Sequence, residues 1–569
     1  MDYQPQLDDI HHILHAVLDA PTQLQALPAY AEVDPALVQQ VLEEAGRFVA
    51  SAIAPLQRIG DETGCRYEAG TVTTPPGFRA AYQAFWQGGW PALACAPEDG
   101  GQGLPAVLEA VLYEMLSAAN HGWTMAPGLL HGAYECLKHH GSADLKARYL
   151  AKIASGEWLA TMCLTEPQAG SDLGLVRTKA TPLADGAYQL NGSKIFISGG
   201  EHDLTDNIVH LVLARLPEAP AGPKGLSLFL APKFLPNGER NGVYCDRIEE
   251  KMGLHGSPTC VMRFEGATAW LVGEPHRGLN AMFVMMNAAR LHVGLQGIGL
   301  LEAAWQKAHA YAQERRQMRA PRAAATLSSG PDLIIEHPAV RRILDVQRAW
   351  IDGGRLLAYR TGMALDIAKH HPEPAQRQAA QTWCTLVTPV LKAAFTDQAF
   401  HGASACLQVF GGHGYVREWG IEQIVRDARV TMIYEGTNEI QAIDLLVRKV
   451  LPDGGQAMCA LLQTLRDDLP TASADQADLM RQLTELCDIT TRLAAAAQTQ
   501  PLLAYEAADD YLRATSVVLL AWAWSRITRA PGSDTPRWQV PAQVLRQRVM
   551  PEFDLRLQLL RALCTPPAA

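Results

Sequence analysis

The sequence predicts an α+β protein that is mainly helical, because a block with the alternating pattern of β-strands lies between two blocks with the periodicity of α-helices. Apolar residues with helical spacing dominate residues 1–155 and return from Leu279 onwards, whereas short runs of alternating polarity, bounded by Gly, Pro and Asn, lie between them. Because the strands form one block between helical blocks, a parallel sheet of alternating strands and helices is disfavoured. No Gly-x-Gly-x-x-Gly motif follows a strand, so a Rossmann-type nucleotide site is not expected.

The changes of periodicity divide the 569 residues into four predicted domains, in line with roughly 150 residues per domain. A Pro-Asp-Gly-Gly break follows Leu451 and separates the last two. The predicted domains are an N-terminal α-helical domain at 1–157, a middle β domain at 158–278, a C-terminal helical-bundle domain at 279–453 and an additional C-terminal helical domain at 454–569.

Individual elements follow from the same patterns. Tyr188–Ser198 carries two alternating runs on either side of Asn191-Gly192, which predicts a β-hairpin that turns at these two residues. A Pro/Ser/Gly-rich loop is predicted at residues 320–331. Helices are predicted at Pro35–Ile53, Val107–Ala119, Ala143–Ile153, Ala281–Gln313, Pro338–Lys369, Pro374–Phe410, Glu439–Val450, Ala474–Gln498 and Leu502–Thr528.

Charge and composition disfavour several classes of partner. The formal net charge is −10 and no block of Lys or Arg offsets it, so neither nucleic acid nor an anionic membrane is an expected partner. The first residues lack the basic and apolar regions of a signal peptide, and the longest apolar stretch, around Val517–Trp524, is far shorter than the roughly 20 residues of a spanning helix. We therefore expect a cytoplasmic protein.

Eleven cysteines are scattered through the chain without any Cys-x-x-Cys spacing. Their odd number and spacing predict reduced, mostly buried thiols rather than a disulfide framework. No zinc-protease or phosphate-loop motif is present, and we expect no metal site.

Two segments suggest chemistry. Met162–Gly174 places Thr, Glu, Pro, Gly, Ser and Asp directly after an apolar strand, where small residues and free backbone donors suit a flat or anionic ligand. Near residue 410 a helix stops at paired glycines, and further on the lone carboxylate Glu435 stands between Tyr434 and Gly436. Partial burial beside an aromatic ring raises the pKa of a carboxyl towards the range of a useful general base.

At these residues the sequence resembles the acyl-CoA dehydrogenase family. The segments MCLTEPQAGSDLG and QVFGGHGYVREWGIEQIVRDARVTMIYEGTNEIQ are similar to the two family signatures, in the same order and about 240 residues apart. Further similarity lies in KARYLAKIASGEW, PEDGGQGLP and YAQERRQ, so that the likeness spans roughly residues 35–450. It implies the acyl-CoA dehydrogenase fold: an N-terminal helical domain, a middle β domain and a C-terminal four-helix bundle, here followed by the extra helical domain.

The resemblance implies an FAD-dependent enzyme that removes two hydrogens from an acyl-CoA thioester and forms a trans-2-enoyl-CoA. Electrons would pass from flavin to an electron-transfer flavoprotein. Glu435 matches the base that removes the α proton while hydride leaves the β carbon for flavin N5. Some relatives carry the base just before the arginine that matches Arg290, but that position is Ala289 here, so Glu435 is the only candidate.

Other site residues carry over position by position. Met162, Leu164 and Thr165 match the strand edge that hydrogen-bonds the flavin ring, while Phe196 and Ser198 stand where many relatives have Trp and Thr. The remaining matches to cofactor-binding positions are Ser171, Arg315, Gln408, Gly411, Gly412, Thr437 and Glu439. The resemblance places the acyl-CoA substrate against Ser171, Arg290, Tyr434 and Gly436.

The stretch after Arg315 and the roughly 110 additional C-terminal residues resemble a long bacterial subfamily that includes 3-methylmercaptopropionyl-CoA dehydrogenases and broad-range fatty acyl-CoA enzymes of β-oxidation. In relatives with an extra helical domain, that domain covers the surface used to form tetramers, so the resemblance implies a homodimer. Three alternatives stay open: an acyl-CoA oxidase, a DNA-associated alkylation-response flavoprotein and a non-enzymatic binding module. The balanced charge of residues 456–569 disfavours the DNA-binding branch, and the presence of both the base and the flavin loop disfavours a binding module.

Overall fold

Helices form both ends of the chain, and a β-sheet lies between them in sequence. The computed structural model describes residues 2–184, 186–321, 330–470 and 474–564, without the side chains of residues 287, 474 and 475. The predicted α+β, mainly helical class is confirmed. Most of the loop predicted at residues 320–331 lies outside the described residues.

The N-terminal part consists of helices and one small antiparallel ribbon. Several helices continue as π-helical turns, for example at Val49–Ile53 and Lys146–Leu150. The helices are α1 (Leu7–His11), α2 (Ala20–Gln25), α3 (Pro35–Phe48), α4 (Leu56–Thr63), α5 (Phe78–Gln87), α6 (Ala106–Thr124), α7 (Leu130–His140), α8 (Ala143–Leu145) and α9 (Ala151–Ser155), and the ribbon joins β1 (Arg66–Glu68) to β2 (Thr71–Thr73).

The middle part is a sheet that closes on itself. Within the described residues, strands β4, β5, β9, β7 and β6 form a ring of neighbours, and β3 pairs with β6 alone. The free side of β3 is therefore an edge at which backbone N–H and C=O groups lack a strand partner. The strands are β3 (Leu159–Cys163), β4 (Lys179–Pro182), β5 (Tyr188–Ser198), β6 (Ile208–Arg215), β7 (Leu226–Pro232), β8 (Val243–Ile248) and β9 (Thr259–Val272).

The hairpin predicted at Asn191-Gly192 is wrong, because β5 runs through both residues as one strand paired with β9. Gly192 faces Thr178 instead of forming a turn: a Cβ there would lie 2.4 Å from the Thr178 hydroxyl oxygen. Asn191 accepts a hydrogen bond from the Gly266 amide across the sheet. The Asn-Gly pair thus allows Thr178 to approach the backbone of β5 closely, and it lies next to a shift in the pairing register between β5 and β9.

Long helices build the part that follows the sheet. Helix α10 packs against α12, α11, α6 and α7, and α17 joins the C-terminal helices to α11 and α12. Glycines allow close approach in this packing: a Cβ on Gly297 would lie 2.6 Å from the backbone of Phe395. The helices are α10 (Gly278–Glu314), α11 (Pro338–His370), α12 (Pro374–Val409), α13 (Ile421–Arg429), α14 (Asn438–Ile443), α15 (Gln456–Asp467), α16 (Ala474–Thr499), α17 (Pro501–Arg529), α18 (Pro536–Val544) and α19 (Pro551–Leu563).

A chain of ion pairs, buried at Arg355 and Asp352 and partly exposed at Arg537, crosses these helices. Arg355 on α11 contacts Glu114 on α6 and Glu302 on α10 at 2.7 and 2.9 Å. Asp352, one turn earlier, contacts Arg537 on α18 at 2.7 Å, and Arg537 also contacts Asp9 on α1 at 2.7 Å. These contacts connect the first helix, the central bundle and the C-terminal helices.

The prediction that all cysteines are reduced is wrong for one pair. Cys459 on α15 and Cys487 on α16 form a disulfide. The antiparallel packing of the two helices brings their Cα atoms to 5.2 Å across a sequence separation of 28 residues, a contact that spacing alone does not reveal. The other nine cysteines are free. In the described part of the chain, no helix has both the length and the apolar character to cross a membrane.

Candidate functional site

The loop that carries Glu435 lies between a short 3₁₀ turn at Val430–Met432 and helix α14. Glu435 and Gly436 both have left-handed backbones, with φ of 56° and 85°. A left-handed conformation is unfavourable for a residue with a Cβ, so surrounding contacts must hold Glu435 there. Thr437 then caps α14 by accepting a hydrogen bond from the Ile440 amide at 3.3 Å.

Two buried side chains hold this loop. The Gln441 amide nitrogen donates to the carbonyl oxygens of Glu435 and Gly436 at 2.9 and 3.3 Å. The Lys392 ammonium on α12 donates to the Gly436 carbonyl at 2.8 Å and to Asn438 Oδ1 at 2.9 Å. Sequence reasoning missed both Gln441 and Lys392, although a lone lysine in an otherwise apolar, Ala-rich helical stretch is a detectable signal.

The electrostatics of the loop suit a base. Burial raises the pKa of Glu435 to about 6, against the opposing effect of the Arg290 and Lys392 charges. Burial lowers the pKa of Lys392 to about 7, while the Glu435 carboxylate acts in the opposite direction. Arg290 is buried and held by Asp444 at 2.8 Å. The pKa of Glu435 is therefore closer to neutral pH than that of an exposed glutamate.

Tyr434 joins the loop to two helices. Its hydroxyl donates to Gln296 Oε1 on α10 at 2.6 Å and lies 3.1 Å from His121 Nε2 on α6. Burial lowers the pKa of His121 to about 3, so the imidazole is neutral. Helix α6 is kinked at Asn120, with φ −160° and ψ 89°, immediately before His121. Sequence reasoning missed His121 and Gln296, which come from distant segments.

A second group of predicted residues surrounds the ends of β3 and β5. Met162 is buried at the free edge of β3, and the Thr165 carbonyl accepts a hydrogen bond from the Ile195 amide at 2.9 Å. Phe196 has a left-handed φ of 59°, which is uncommon for a residue with a Cβ, and exposes 60% of its surface. Ser198 ends β5, and Ser171 is exposed on the loop after β3.

A buried ion pair that the sequence did not reveal stabilises this second group. Lys194 on β5 donates to Glu166 at 2.9 Å and to the carbonyl of the predicted site residue Leu164 at 3.0 Å. Glu166 also accepts from the Thr178 hydroxyl at 2.6 Å. Although burial opposes ionisation, Lys194 and these donors lower the pKa of Glu166 to about 2. The Glu166 carboxylate thus fixes the loop after β3 to the neighbouring strands.

A third group lies where α10 and α12 end. Tyr311, one turn before Arg315, stacks on Phe410 with ring centres 4.3 Å apart, and its hydroxyl is 2.9 Å from His413 Nδ1. Arg315 directly follows α10 and is exposed. A Cβ on either glycine would meet nothing within 4 Å, and Gln408 is exposed on the last turn of α12.

The described contacts thus bring the predicted site residues together as three groups. Glu435, Tyr434, Gly436, Arg290, Thr437 and Glu439 belong to the base loop or the helices beside it; Met162, Leu164, Thr165, Ser171, Phe196 and Ser198 lie around the ends of β3 and β5; Arg315, Gln408, Gly411 and Gly412 lie at the helix ends. Glu439 is exposed and has no contact with Glu435 among the hydrogen bonds of the described residues.

Three family models match this chain in succession. They are the N-terminal domain of acyl-CoA dehydrogenase at residues 37–157, its middle domain at 161–267 and its C-terminal domain at 276–450. The domain boundaries predicted from the sequence stay predictions.

The match to one similar protein extends beyond residue 450, and a second covers three quarters of the chain. The chain is 42% identical to 3-methylmercaptopropionyl-CoA dehydrogenase of Ruegeria pomeroyi over 92% of this chain and 90% of that protein. It is 36% identical to a broad-specificity linear acyl-CoA dehydrogenase of Mycobacterium tuberculosis over 75% of this chain and 72% of that protein.

Solved structures share the whole fold. The structure of Caenorhabditis elegans ACDH-11 in complex with C11-CoA has a TM-score of 0.79 at 20% identity and covers 98% of this chain and 94% of its own. An acyl-CoA dehydrogenase from Bacillus anthracis, complexed with FAD, has a TM-score of 0.77 at 20% identity and covers 95% and 91%. These likenesses confirm the expected three-domain fold with additional C-terminal helices.

Proposed function

The chain belongs to the acyl-CoA dehydrogenase family, and from this premise we propose that it is an FAD-dependent enzyme that converts an acyl-CoA to the trans-2-enoyl-CoA with Glu435 as the base. The observation that carries the proposal is the environment of Glu435. Its carboxylate stands on a left-handed loop held by Lys392 and Gln441, and burial raises its pKa to about 6.

Removal of the α proton is the difficult step, because the proton of a thioester α carbon is far less acidic than a carboxylic acid. Glu435 accepts this proton in its ionised form. The peptide N–H of Glu435 donates no hydrogen bond to another described residue, so it is available to the thioester oxygen. A donor at that oxygen stabilises the negative charge that develops there as the proton leaves.

The residues present fit FAD. The free edge of β3 at Met162 offers backbone groups to the polar rim of a flavin ring, whereas the carbonyls of Leu164 and Thr165 already accept from Lys194 and Ile195. The exposed face of Phe196 offers an apolar surface to the plane of the ring. The unobstructed backbone at Gly411 and Gly412 and the exposed guanidinium of Arg315 each suit a pyrophosphate. When bound, FAD supplies the hydride acceptor.

We further propose a homodimer that acts in the cytoplasm and passes electrons to an electron-transfer flavoprotein. The alternative of an oxidase differs in whether oxygen reaches the reduced flavin. Peroxide release in proportion to turnover under air would support the oxidase, whereas reduction of an electron-transfer flavoprotein without peroxide supports the dehydrogenase. A tetrameric mass by light scattering would contradict the dimer.

A short thioether-containing acyl group is the second, narrower candidate, with 3-methylmercaptopropionyl-CoA as its representative. The relative that is 42% identical over nine tenths of both chains carries that name. Anaerobic flavin bleaching with a ladder of acyl-CoAs ranks the candidates.

Glu435→Gln tests the role of the base. The variant keeps the volume and polarity of the side chain but cannot accept the proton, so we expect bleaching of the flavin by acyl-CoA to slow by at least about 10³-fold. Glu506→Gln, an exposed position on α17, is the matched control and should bleach as the wild type does. Bleaching of Glu435→Gln at near the wild-type rate would contradict the assignment.

A further inference from the structure

Lys392 is a buried cation with no assigned role. Its side chain is 0% exposed on α12, in a helix whose neighbouring positions are apolar. The two acceptors of its ammonium, the Gly436 carbonyl and Asn438 Oδ1, are both neutral oxygens. A buried ammonium without a paired carboxylate is costly, and an apolar side chain at this position would pack at lower cost. Stability alone therefore does not account for a lysine here.

The contacts of Lys392 form part of a small network that ties the base loop to one turn of α12. Asn438 Oδ1, which accepts from Lys392, also accepts from the Thr396 hydroxyl at 3.1 Å. The Asn438 amide nitrogen donates to the Ala393 carbonyl at 3.1 Å. The chain on the C-terminal side of Glu435 is thus anchored at three points of a single helical turn, and Lys392 contributes the contact nearest to Glu435.

The charge of Lys392 acts on the same loop. The charged groups that influence it come from three elements: Glu435 on the loop, Arg290 on α10 and Glu439 on α14. Glu435 and Glu439 favour the ammonium, whereas burial and Arg290 oppose it. Reciprocally, Arg290 and Lys392 are the two cations that favour the ionised form of Glu435. Arg290 is already paired with Asp444, and this pairing leaves Lys392 as the cation without a carboxylate partner of its own.

We propose that Lys392 is a positioning residue for the reaction: it holds the left-handed backbone that presents the Glu435 carboxylate and peptide N–H, and its positive charge favours the ionised form of Glu435. The inference rests on the proposed function, because it assigns a task to Lys392 only if Glu435 is the base. The positioning acts through the Gly436 carbonyl, and the charge acts through space.

Three variants separate these effects. Lys392→Met keeps most of the volume but removes both the donors and the charge, whereas Lys392→Gln keeps an N–H donor and removes the charge. Lys307→Met is the matched control, because Lys307 is also a lysine on a helix whose pKa burial lowers, and it lies about 25 Å along α10 from Arg290. Circular dichroism and bound-flavin absorbance establish that each variant is folded.

The main measurement is the pH dependence of anaerobic flavin bleaching by acyl-CoA. For Lys392→Met we expect the acidic limb to move up by about one pH unit and the limiting rate to fall by about 10²-fold. For Lys392→Gln we expect the same shift of the limb with a smaller loss of limiting rate. Hydrogen exchange of the peptide 433–441, measured without substrate, should quicken in Lys392→Met and stay unchanged in Lys307→Met.

A folded Lys392→Met variant whose acidic limb stays within about 0.2 pH units of wild type, and whose rate stays within about twofold, would overturn the proposal. If Lys392→Met does not fold, Lys392→Gln replaces it, since its amide keeps an N–H donor for the Gly436 carbonyl and removes the charge. The limb should again move up, and an unmoved limb would count against the proposal. Failure of the wild type to bleach with every acyl-CoA would instead refute the proposed function.

Discussion

The ionisation of Glu435 sets an expected pH dependence. Its pKa in the folded protein is raised from 4.5 to about 6, so the carboxylate is ionised above pH 6 and protonated below it. Because only the ionised form accepts the α proton, the second-order rate constant for flavin bleaching should rise as the pH increases through about 6 and then level off. Stopped-flow measurements across the range test this, and a rate that is flat down to pH 4.5 would contradict the assignment.

Tyr434 provides a second prediction at the scale of one side chain. Tyr434→Phe removes the hydroxyl that contacts Gln296 and His121 and leaves both buried partners without it. We expect a loss of about 1–3 kcal/mol in the free energy of unfolding. Urea denaturation gives this value, and a loss below about 0.5 kcal/mol would mean that ordered water replaces the hydroxyl. Tyr505→Phe, at an exposed position on α17, is the control.

At the scale of one element, Asp366 on α11 caps the start of α6. It accepts hydrogen bonds from the Tyr30 hydroxyl at 2.7 Å and from the Ala106 amide at 3.0 Å. Burial raises its pKa from 3.8 to about 7, so between these values the unfolded chain ionises while the folded protein holds the proton. Its contribution to stability is therefore fully present below the unfolded pKa and lost as the pH rises through about 7.

Asp366→Asn should remove this dependence, because an amide keeps the acceptor oxygen and does not ionise. We expect the variant to be more stable than wild type at pH 8 by on the order of a few kcal/mol, and its free energy of unfolding to change less between pH 5 and 8. Denaturant titrations at several pH values measure both. Asp534→Asn, at an exposed position, should keep the wild-type slope, and an equal slope in Asp366→Asn would show that the carboxyl ionises freely.

The helices themselves were largely predictable from the sequence. The observed α10, Gly278–Glu314, and α16, Ala474–Thr499, begin and end within three residues of the predicted bounds, because a long apolar period of 3.6 outweighs any local ambiguity. The prediction of a hairpin at Asn191-Gly192 was wrong because an Asn-Gly pair only indicates a local preference for a turn. The close approach of Thr178, a tertiary contact, explains the glycine instead.

The site was predictable only where its chemistry is local. Glu435 was recognised from its neighbours in sequence and from the family signatures, and its role stays a prediction. Lys392 and His121 lie 43 and 314 residues before Glu435, and only the packing of α12 and α6 against the loop brings their contacts to it. The Cys459–Cys487 disulfide was missed for the same reason.

At the scale of the whole molecule, Arg537 connects three parts of the chain through Asp352 and Asp9. Arg537→Met leaves the fully buried Asp352 with fewer cationic partners and removes the ion pair of Asp9 with Arg537. We expect the free energy of unfolding to fall by about 1–3 kcal/mol, discounted from a fully buried pair because Arg537 is partly exposed. Arg481→Met, which breaks exposed pairs on α16, should cost less than about 1 kcal/mol in the same denaturation assay. Equal losses in both variants would contradict this role.

The left-handed backbone of Glu435 creates a conflict between catalytic activity and the stability of the folded protein. Glycine adopts this conformation without steric cost, and it brings no carboxylate to be buried. We therefore expect Glu435→Gly to have a free energy of unfolding about 1 kcal/mol higher than the wild type, and a higher denaturant midpoint, although it lacks the base. If selection for catalysis were removed, a change to glycine at this position would make the protein more stable. Thermal and denaturant melting of the variant tests this, and a lower midpoint would contradict it.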